Sequence, residues 1–414
     1  MVNEQFKQTD VGIIPEDWDS VSLSDVFEII DAGVSVNSDG KAYTNKFILK
    51  SSAVSGGKFL PNEVKQVIQK DVQRLKCPVI GGSIIISRMN TPQLVGESGY
   101  VDEDRKNIFL PDRLWQVYNS KPEEYDFKWL NYVLSYGRYR EQVRSSGTGT
   151  SDSMKNISKE SFLQVRIPKP PIHEQVAISS VLGDIDQLID VTESKLKKLQ
   201  GLKKAHLYEM FPHDVNSVPM TRIKGFSSPW KLTTIGKCLE ERQERSSEGE
   251  LLSVTIGDGI KRFKDIGRRD NSSSDKSNYK RVEAGDIVYN SMRMWQGASG
   301  YSRYNGIVSP AYTVLYPKEK MHSQFFAYAF KTHDLICLFQ TYSQGMTTDT
   351  WNLKYPALSD ISVLIPELEE QIAIAEHFQY IDDLIISTNE KMEKYLEIKQ
   401  GMMSELLTGK IRLV

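Results

Sequence analysis

The chain has 414 residues, of which 39% are hydrophobic and 10% aromatic, with 52 Lys and Arg against 54 Asp and Glu. This composition predicts a globular chain of two or three domains, and the net charge of −2 excludes nucleic-acid binding through overall charge, so any basic surface has to be local. Because Cys77, Cys238 and Cys337 lie far apart and no apolar run approaches the ~20 residues of a membrane span, we expect a soluble, cytoplasmic protein.

The segment 1–165 is predicted to form a mixed α/β domain. Short β-like runs at 47–49, 83–87 and 114–118 are separated by Gly, Asn and Ser, as in strands joined by turns. From 123 to 143, Trp, Leu, Val and Tyr recur at near-helical spacing, which predicts a helix. A segment of this length is usual for one domain.

A second domain with the same pattern is predicted at 216–362. Its β-like runs lie at 286–289 and 312–316, and a helix is predicted near 323–341. The chain therefore contains two α/β domains of similar size.

Each domain is followed by a segment with helical periodicity, at 166–215 and 363–414. Alternating steps of four and three residues from 185 to 210 meet Ile, Ile, Thr, Leu, Leu, Lys, His and Met. The same steps from 381 to 406 meet Ile, Ile, Thr, Met, Tyr, Lys, Met and Leu. This heptad seam predicts two long helices packed on each other. The alternative is that each helix covers the core of its own domain.

The sequence also repeats itself at a constant distance. Glu-Gln-Val-Ala-Ile at 174–178 returns as Glu-Gln-Ile-Ala-Ile at 370–374, an offset of 370 − 174 = 196. Ile-Asp-Gln-Leu-Ile at 185–189 returns at the same offset as Ile-Asp-Asp-Leu-Ile at 381–385. A period this long indicates duplicated domains rather than a solenoid, and it predicts a pseudo-twofold symmetric molecule.

No motif for a catalytic or metal site stands out. The sequence has no glycine-rich loop between a strand and a helix and no Asn-Pro-Pro-Tyr, and its His and Cys lack metal-binding spacing. Asp112, Asp126 and Lys128 loosely match the two acids and the lysine of metal-dependent nucleases. However, Asp126 begins a predicted helix, where Asp is common, and Ala311 replaces the first acid in the second copy. A structural role is therefore favoured over a nuclease site.

Local positive charge points to nucleic acid. The block 261–281 holds eight Lys and Arg against three Asp, interleaved with Ser, Asn and Tyr. Such a block can neutralise phosphates and donate hydrogen bonds to base edges. We expect DNA contacts from Lys261, Arg262, Lys264, Arg268 and Arg269, and from Arg138, Arg140 and Arg144 in the first domain.

The repeated motifs resemble the specificity subunits of Type I restriction-modification systems. The resemblance rests on Asn-Ile-Ser at 156–158, on Ile-Pro-Lys-Pro-Pro-Ile-His-Glu-Gln at 167–175 and on the second copy at 363–374. Gly-Phe-Ser-Ser-Pro-Trp at 225–230 and Glu-Leu-Leu-Thr-Gly-Lys-Ile-Arg at 405–412 add to it. The second copy departs from the first in having one proline where the first has two, which allows a different start for the second helix.

This resemblance implies a non-catalytic subunit with a defined architecture. Two similar globular target-recognition domains, at 1–165 and 216–362, would be separated by two antiparallel coiled-coil helices, at 166–215 and 363–414. Each domain would read one half of a bipartite, asymmetric site in double-stranded DNA, and the helices would set the gap between the halves.

The resemblance also implies partners. Two copies of a modification subunit, an adenine-N6 methyltransferase that uses S-adenosylmethionine, would dock on the exposed helix faces and on the helix starts at Glu174, Gln175, Glu370 and Gln371. A restriction subunit, where one joins them, would add an ATP-dependent nuclease. This chain itself would hold no cofactor, because S-adenosylmethionine, ATP and Mg would be bound by the partner subunits.

Base reading is expected just beyond matching strands of the two domains. Arg and Lys tend to read guanine, and Asn and Gln tend to read adenine, so we expect base contacts from Arg88, Asn90, Arg293 and Gln296. The alternative reading of Arg293 is a packed strand end. The alternative for the whole chain is a coiled-coil adaptor with two protein-binding domains and no nucleic acid, whose binding would not collapse as salt rises.

Overall fold

The computed structural model describes residues 5–38, 43–148, 154–257, 259–267, 269, 272–273 and 275–413. Its contacts divide the chain into two compact units. Unit 1 comprises residues 1–191 and 392–414, and unit 2 comprises residues 192–391. Each unit thus contains one of the two predicted domains and part of each long helix. The predicted borders at 165, 215 and 362 stay predictions.

Unit 1 is a mixed α/β structure. Its strands are β1 (Phe6–Thr9), β2 (Gly12–Pro15), β3 (Asp19–Ser22), β4 (Ile30–Ala32), β5 (Phe47–Leu49), β6 (Val54–Ser55), β7 (Lys58–Phe59), β8 (Val64–Gln66), β9 (Pro78–Val79), β10 (Ile84–Ser87), β11 (Met89–Asn90), β12 (Ser98–Tyr100), β13 (Arg105–Phe109), β14 (Leu114–Val117), β15 (Lys155–Asn156) and β16 (Arg166–Lys169). Its helices are α1 (Leu23–Val26), α2 (Phe127–Ser135), α3 (Gly137–Ser145), α4 (Lys159–Leu163) and the first part of α5 (Ile172–Glu209).

The main sheet of unit 1 has the strand order β4-β14-β10-β12-β7-β6, and a second sheet has the order β8-β5-β13-β9. In β10, Ile84, Ile85 and Ile86 are all fully buried, because this strand is covered on both faces and so reads as a continuous apolar run. Trp115 of β14 and Trp129 of α2 are equally buried in the same core. The predicted strands at 47–49, 83–87 and 114–118 are confirmed.

The predicted helix at 123–143 is wrong in one respect, because two helices occupy this stretch. Asp126 caps α2, its Oδ1 accepting a hydrogen bond of 2.7 Å from the backbone amide of Trp129. Tyr136 then adopts an extended conformation, with φ −73° and ψ 130°, which ends α2 before α3 begins at Gly137. The apolar periodicity continues through the break because Tyr139 and Val143 of α3 face the same core.

Unit 2 repeats the design, with fewer strands among its described residues. Its strands are β17 (Lys231–Thr234), β18 (Leu239–Glu241), β19 (Leu252–Thr255), β20 (Gly259–Arg262), β21 (Lys280–Val282), β22 (Ile287–Asn290), β23 (Ser299–Tyr301), β24 (Gly306–Val308), β25 (Tyr312–Pro317) and β26 (Ser362–Ile365). Its helices are α6 (Ile235–Cys238), α7 (Ser323–Ala329), α8 (His333–Tyr342), α9 (Tyr355–Ser359) and the first part of α10 (Leu368–Leu406), together with the end of α5.

The main sheet of unit 2 has the order β18-β25-β22-β23, which matches β4-β14-β10-β12 of unit 1. The predicted strands at 286–289 and 312–316 are confirmed by β22 and β25. The predicted helix at 323–341 is divided into α7 and α8, with Phe330 to Thr332 between them. Phe325, Phe326 and Phe330 fill the core beneath these helices.

The two long helices begin in the same way. In α5 the carbonyl of Pro171 accepts from the amides of Glu174 and Gln175 at 3.0 and 3.1 Å. In α10 the carbonyl of Glu367 accepts from Glu370 and Gln371 at 3.1 and 3.0 Å. The single proline of the second copy therefore leaves the start of the helix unchanged.

Within each unit the two helices run antiparallel. In unit 1, Lys399 Nζ of α10 lies 2.7 Å from Asp186 Oδ1 of α5. In unit 2 the equivalent pair, Lys203 of α5 and Asp382 Oδ1 of α10, lies at 2.5 Å. The predicted heptad seam is confirmed, because the seam positions of both helices are buried or half-buried. Across the described part of the chain, no helix combines the length and the apolar character needed to cross a membrane.

Each core is completed by residues at the end of the helix that arrives from elsewhere in the sequence. Met210 and Phe211, at the end of α5, are buried in the core of unit 2. Leu406 and Leu407, at the equivalent place in α10, are buried in the core of unit 1. The last residues of the chain are thus part of the domain that contains the first ones.

The repeat breaks at a half-buried contact between the helices. In unit 2, His206 Nδ1 and His377 Nε2 lie 2.7 Å apart, a hydrogen bond that requires at least one ring to be neutral. The equivalent positions of the repeat in unit 1 are Met402 and Val181, which cannot titrate. Burial, and then the neighbouring His206, hold the pKa of His377 below its usual value of 6.5.

We predict that acid selectively loosens the helix pair of unit 2. A folded-state pKa below the unfolded value means that the stabilising contribution is complete above about pH 6.5 and is lost as pH falls through the lower folded pKa. Hydrogen exchange should therefore accelerate in 192–209 and 368–391 between about pH 7 and 5.5, after correction for its intrinsic pH dependence. The double variant His206→Met, His377→Val, which carries the unit 1 residues, should lose this acceleration; an unchanged pH profile would contradict the assignment.

Candidate nucleic-acid interface

The candidate base-reading residues of unit 1 lie where β10 ends. The Arg88 guanidinium is 5.6 Å from the centre of the Trp115 ring, and its Nε is buried without a hydrogen-bond partner. Asn90 is only 7% exposed. Its Nδ2 donates to Ser87 Oγ at 3.1 Å, and its Oδ1 accepts from the backbone amide of Thr91 at 2.9 Å. Its base-reading role stays a prediction, and it would require these bonds to open.

The three arginines predicted to contact DNA from α3 differ in their surroundings. Arg140 pairs with the buried carboxylate of Glu97, and Arg144 donates two hydrogen bonds to the carbonyl of Pro92, at 3.1 and 2.9 Å. Both therefore hold the segment between Pro92 and Glu97 against the helix. Arg138 is exposed, with its guanidinium over Gly12, and is the α3 arginine most open to a phosphate.

In unit 2 the corresponding strand-end loop, residues 291–298 between β22 and β23, exposes polar side chains to solvent. Arg293 and Gln296 are exposed between β22 and β23. The loop is held by Met294, which is fully buried, and by the indole of Trp295, which donates to the carbonyl of Met292 at 3.1 Å. Of the residues expected to read bases, this pair is the most accessible.

Backbone pairing aligns the strand-end loops of the two units. The amide of Ile157 donates to the carbonyl of Arg88 at 2.9 Å, and the amide of Leu353 donates to the carbonyl of Ser291 at 2.8 Å. Ser291 thus occupies the place of Arg88. Beyond this point the two loops differ in backbone as well as in side chains, because Asn90 pairs with Lys155 as part of β11, whereas Arg293 precedes a 3-10 turn at Met294–Gln296.

The basic block 261–281 is less positive in the fold than in the sequence. Glu250 pairs with Arg262 at 3.0 Å and with Lys264 at 2.7 Å. Carboxylates from outside the block likewise pair with Lys280 and Arg281. Lys261 is half-buried on β20 and Arg269 is exposed. Arg268 lies outside the described residues.

The Glu-Gln pair at the start of α5 is buried in unit 1 rather than presented to a partner. Glu174 accepts from Trp18 Nε1 at 2.9 Å and from Arg412 Nε and Nη2 at 2.7 and 2.9 Å. Arg412 also binds Asp17 at 2.7 Å. Hydrogen bonds to Glu174, and then to Asp17, raise the pKa of the Arg412 guanidinium. The hydrogen bond from Arg412 in turn lowers the pKa of Asp17.

Unit 2 repeats this anchor with a different arginine. Glu370 is 2% exposed and accepts from Arg222 Nε at 2.9 Å and Nη2 at 2.5 Å. Arg222 follows the end of α5, as Arg412 follows the end of α10. The two glutamates are equivalent in the repeat, whereas the arginines are not, because Arg222 lies farther beyond the end of its helix at Glu209 than Arg412 does beyond Leu406.

The glutamines fasten the same two helix starts to their domains. Gln175 Oε1 accepts from the amide of Asp126 at 3.0 Å, and its Nε2 donates to Pro170 O at 2.8 Å. Gln371 makes the matching bonds to the amide of His322 and the carbonyl of Pro366, both at 3.0 Å. Partner binding by these Glu-Gln pairs stays a prediction; the observed contacts are internal.

Apolar side chains exposed on the long helices were not singled out by sequence reasoning. In the sequence they differ from other apolar helix residues only in lying outside the heptad seam. Charged residues surround them there, so the pattern is hard to recognise. In unit 1 they are Val176, Leu188, Val191, Leu396 and Ile398, and in unit 2 they are Leu202, Tyr208, Tyr380 and Ile386. Each unit thus exposes apolar side chains on its long helices to solvent.

The acidic residues of the rejected nuclease pattern do not form a site. Asp126 is occupied as the α2 cap, Asp112 is exposed, and Lys128 lies 5.5 Å from the centre of the Tyr100 ring. Among the residues that the structure describes, no group of three or more His, Cys, Asp or Glu is placed to hold a metal ion.

We predict that Arg412→Ala destabilises unit 1 by about 3–5 kcal/mol, because it leaves the fully buried carboxylate of Glu174 without its ionic partner. The matched control is Lys410→Ala, which removes a cation that is 59% exposed and 3.5 Å from Glu405 and should cost less than about 1 kcal/mol. Urea unfolding, followed by hydrogen exchange around Trp18 and Glu174, measures both variants. Equal losses for the two variants would show that the buried pair does not hold the unit together.

Comparisons with known proteins agree with this geometry. The model of the Type I restriction modification DNA specificity domain matches residues 15–200 and 253–400. The type I restriction enzyme MjaVIII specificity subunit of Methanocaldococcus jannaschii is 25% identical over 439 residues, covering 99% of this chain and 96% of that protein.

Two solved structures share the fold. The crystal structure of the S subunit of a Type I restriction-modification system from M. genitalium aligns with a TM-score of 0.63 at 16% identity, over 97% of this chain and 98% of that chain. A chain from a structural study of complex assembly in the type I R-M system aligns with a TM-score of 0.52 at 15% identity, over 96% and 99%. Since the family model matches well over half of the sequence, the chain belongs to the Type I restriction-modification specificity subunits and serves as a DNA sequence-specificity subunit.

Proposed function

We propose that each unit reads one half of a bipartite DNA site and that the two long helices set the gap between the halves. The observation that carries this proposal is a contrast between the helix starts and the loops. The Glu-Gln anchors and the Lys-Asp pairs recur at equivalent positions of the repeat with nearly the same distances. The strand-end loops leave matched strands, β10 and β22, and differ beyond them in backbone and in side chains.

This contrast is what a two-part reader requires. Sequence is read by side chains at base edges, whereas phosphate contacts set position. A duplicated protein that recognises an asymmetric site has to change the side chains that read bases and keep the structure that positions them. Ser291 stands where unit 1 has Arg88, and the loop beyond it exposes Arg293 where unit 1 buries Asn90. The available donors and acceptors therefore differ, so the two half-sites should differ.

We further propose that two copies of an adenine-N6 methyltransferase subunit bind the exposed apolar side chains of the long helices. A surface of the same kind recurs on both units, for example at Leu202 and Ile398, which are equivalent positions of the repeat and are 43% and 49% exposed. S-adenosylmethionine would be bound by the methyltransferase subunits. ATP and Mg would be bound by restriction subunits where these join. We place this activity in the cytoplasm.

Phosphate contacts yield a quantitative prediction for unit 2. Arg269 is exposed, whereas the charge of Lys264 is already paired with Glu250 at 2.7 Å. In the complex with the modification subunits, Arg269→Gln should reduce the slope of log affinity against log salt by about one. Lys264→Gln should reduce it less. Fluorescence anisotropy with duplex DNA from about 50 to 200 mM salt measures the slopes; identical slopes for all three proteins would contradict the assignment of Arg269.

The experiment that tests the proposed function is a methylation map. The chain is co-expressed with its modification subunit, and N6-methyladenine is located in genomic DNA by single-molecule sequencing. We expect one split motif with a fixed gap. Arg293→Ala should relax one position within one half, at a cost of about 1–3 kcal/mol in discrimination, because a bidentate guanine contact is worth that much. The exposed Arg303→Ala, beyond the loop, is the control.

A stable complex that methylates a continuous site, or no site, would overturn the proposal. The adaptor alternative would then gain support, provided that partner binding persists at high salt. If Arg293→Ala and Arg303→Ala methylate the same motif as the parent protein, the split reader survives and only the role of Arg293 fails.

A further inference from the structure

The loop of residues 344–352 in unit 2 presents an apolar side chain that the proposed base contacts leave unexplained. Met346 is 100% exposed. The ring of Trp351 in this loop meets the ring of Trp295 edge to face, with centroids 5.2 Å apart and an interplanar angle of 78°. Trp295 belongs to the loop between β22 and β23 that carries the exposed Arg293. The loop that carries Met346 therefore contacts the loop that carries the most accessible candidate base reader.

This loop is firmly built. Gln344 and Asn352 exchange backbone hydrogen bonds of 3.0 and 2.8 Å, which close its base. Within it, the amide of Thr347 donates to Thr350 Oγ1 at 3.1 Å. Gly345 has a φ of +146°, and a Cβ there would lie 2.6 Å from the carbonyl oxygen of Thr350, so glycine allows the two sides of the loop to close. These contacts define the path of the backbone that carries Met346.

The exposed methionine has no counterpart in the sequence of unit 1. The loop base recurs there, where Thr148 and Asn156 exchange the same two bonds at 2.9 and 3.0 Å. In sequence, the position equivalent to Met346 is Thr150, which lies outside the described residues. A feature of the shared frame would be expected in both copies. An apolar residue in one copy is instead what a difference between two half-sites requires.

We propose that Met346 is a wedge that enters the DNA between adjacent base pairs of the half-site read by unit 2, and this inference rests on the proposed function. Apolar side chains such as Met unstack base steps and kink the duplex, which allows more protein surface to reach the DNA. The cost of unstacking depends on the step, being lowest at flexible pyrimidine–purine steps. Met346 thereby adds specificity at a step that need not make a hydrogen bond with the protein.

The test uses the complex of this chain with its modification subunits and synthetic duplexes carrying the mapped methylation site. Affinity is measured for Met346→Ala and for Met346→Thr, which carries the unit 1 residue. The control is Met220→Ala, because Met220 is 64% exposed outside this loop. Each protein is tested on an intact duplex and on duplexes in which one step of the unit 2 half-site is weakened by a mismatch. A 2-aminopurine beside each step in turn reports unstacking by its fluorescence.

We expect the parent protein to raise 2-aminopurine fluorescence at one step of the unit 2 half-site only. Both Met346 variants should lose this signal and bind the intact duplex about tenfold more weakly, because without the wedge the kink that brings the DNA to the rest of the protein surface costs more. They should recover most of the affinity on the duplex weakened at that step. Met220→Ala should behave as the parent on every duplex.

Three outcomes would overturn the wedge. Affinity could be unchanged in the Met346 variants, it could fall equally on intact and weakened duplexes, or the variants could fail to assemble with the modification subunits, which would make this loop a protein contact. A parent complex that methylates no split site would refute the proposed function itself. If the parent complex methylates a split site and Met346→Ala changes neither the affinity nor the 2-aminopurine fluorescence, only the wedge is refuted.

Discussion

The structure depends on a buried carboxylate at the start of each long helix. Glu174 and Glu370 are almost wholly excluded from solvent, and such a charge is tolerated only when it is paired and hydrogen-bonded. Arg412 and Arg222 meet this requirement, and each follows the end of the antiparallel helix in its unit. Each pair thereby joins the start of one long helix to the segment that follows the other. In unit 1 this constraint ties the last residues of the chain to Trp18 near its beginning.

The buried contacts at the helix starts allow the loops beyond β10 and β22 to differ in sequence. The bonds of Gln175 and Gln371 orient each helix on its own domain through backbone groups, which do not depend on the neighbouring side chains. The residues beyond β10 and β22 can therefore change without moving the helix. Arg293, exposed on a loop held by the buried Met294, shows one result of this freedom. In unit 1, Asn90 in the loop beyond β10 is folded inward, so the two units present different side chains beyond matched strands.

Sequence patterns anticipated the features that depend on local periodicity and on the repeat. Both long helices, their seam and the central strands of each sheet follow from the spacing of apolar residues. Helix breaks at Tyr136 and near Phe330 were missed, because apolar periodicity continues through them. The basic block was overestimated, since Glu250 and other acids approach it only in the folded chain.

The burial of the Glu-Gln pairs could not be predicted from the sequence. Each glutamate is paired with an arginine that lies far away along the chain, Arg412 for Glu174 and Arg222 for Glu370. Neither arginine carries a local signal of its partner, and an acidic residue in the first turn of a helix is usually explained by the helix dipole alone. Only the folded chain distinguishes a buried anchor from an exposed first-turn acid.

Independent reading of the two half-sites on a shared frame is tested most directly by exchanging residues 231–362 for the corresponding segment of a related specificity subunit. The complex with the modification subunits is then used to map N6-methyladenine. We predict that one half of the motif changes while the other half and the gap stay the same. A change in both halves, or a gap that changes with the exchanged segment, would contradict independent reading.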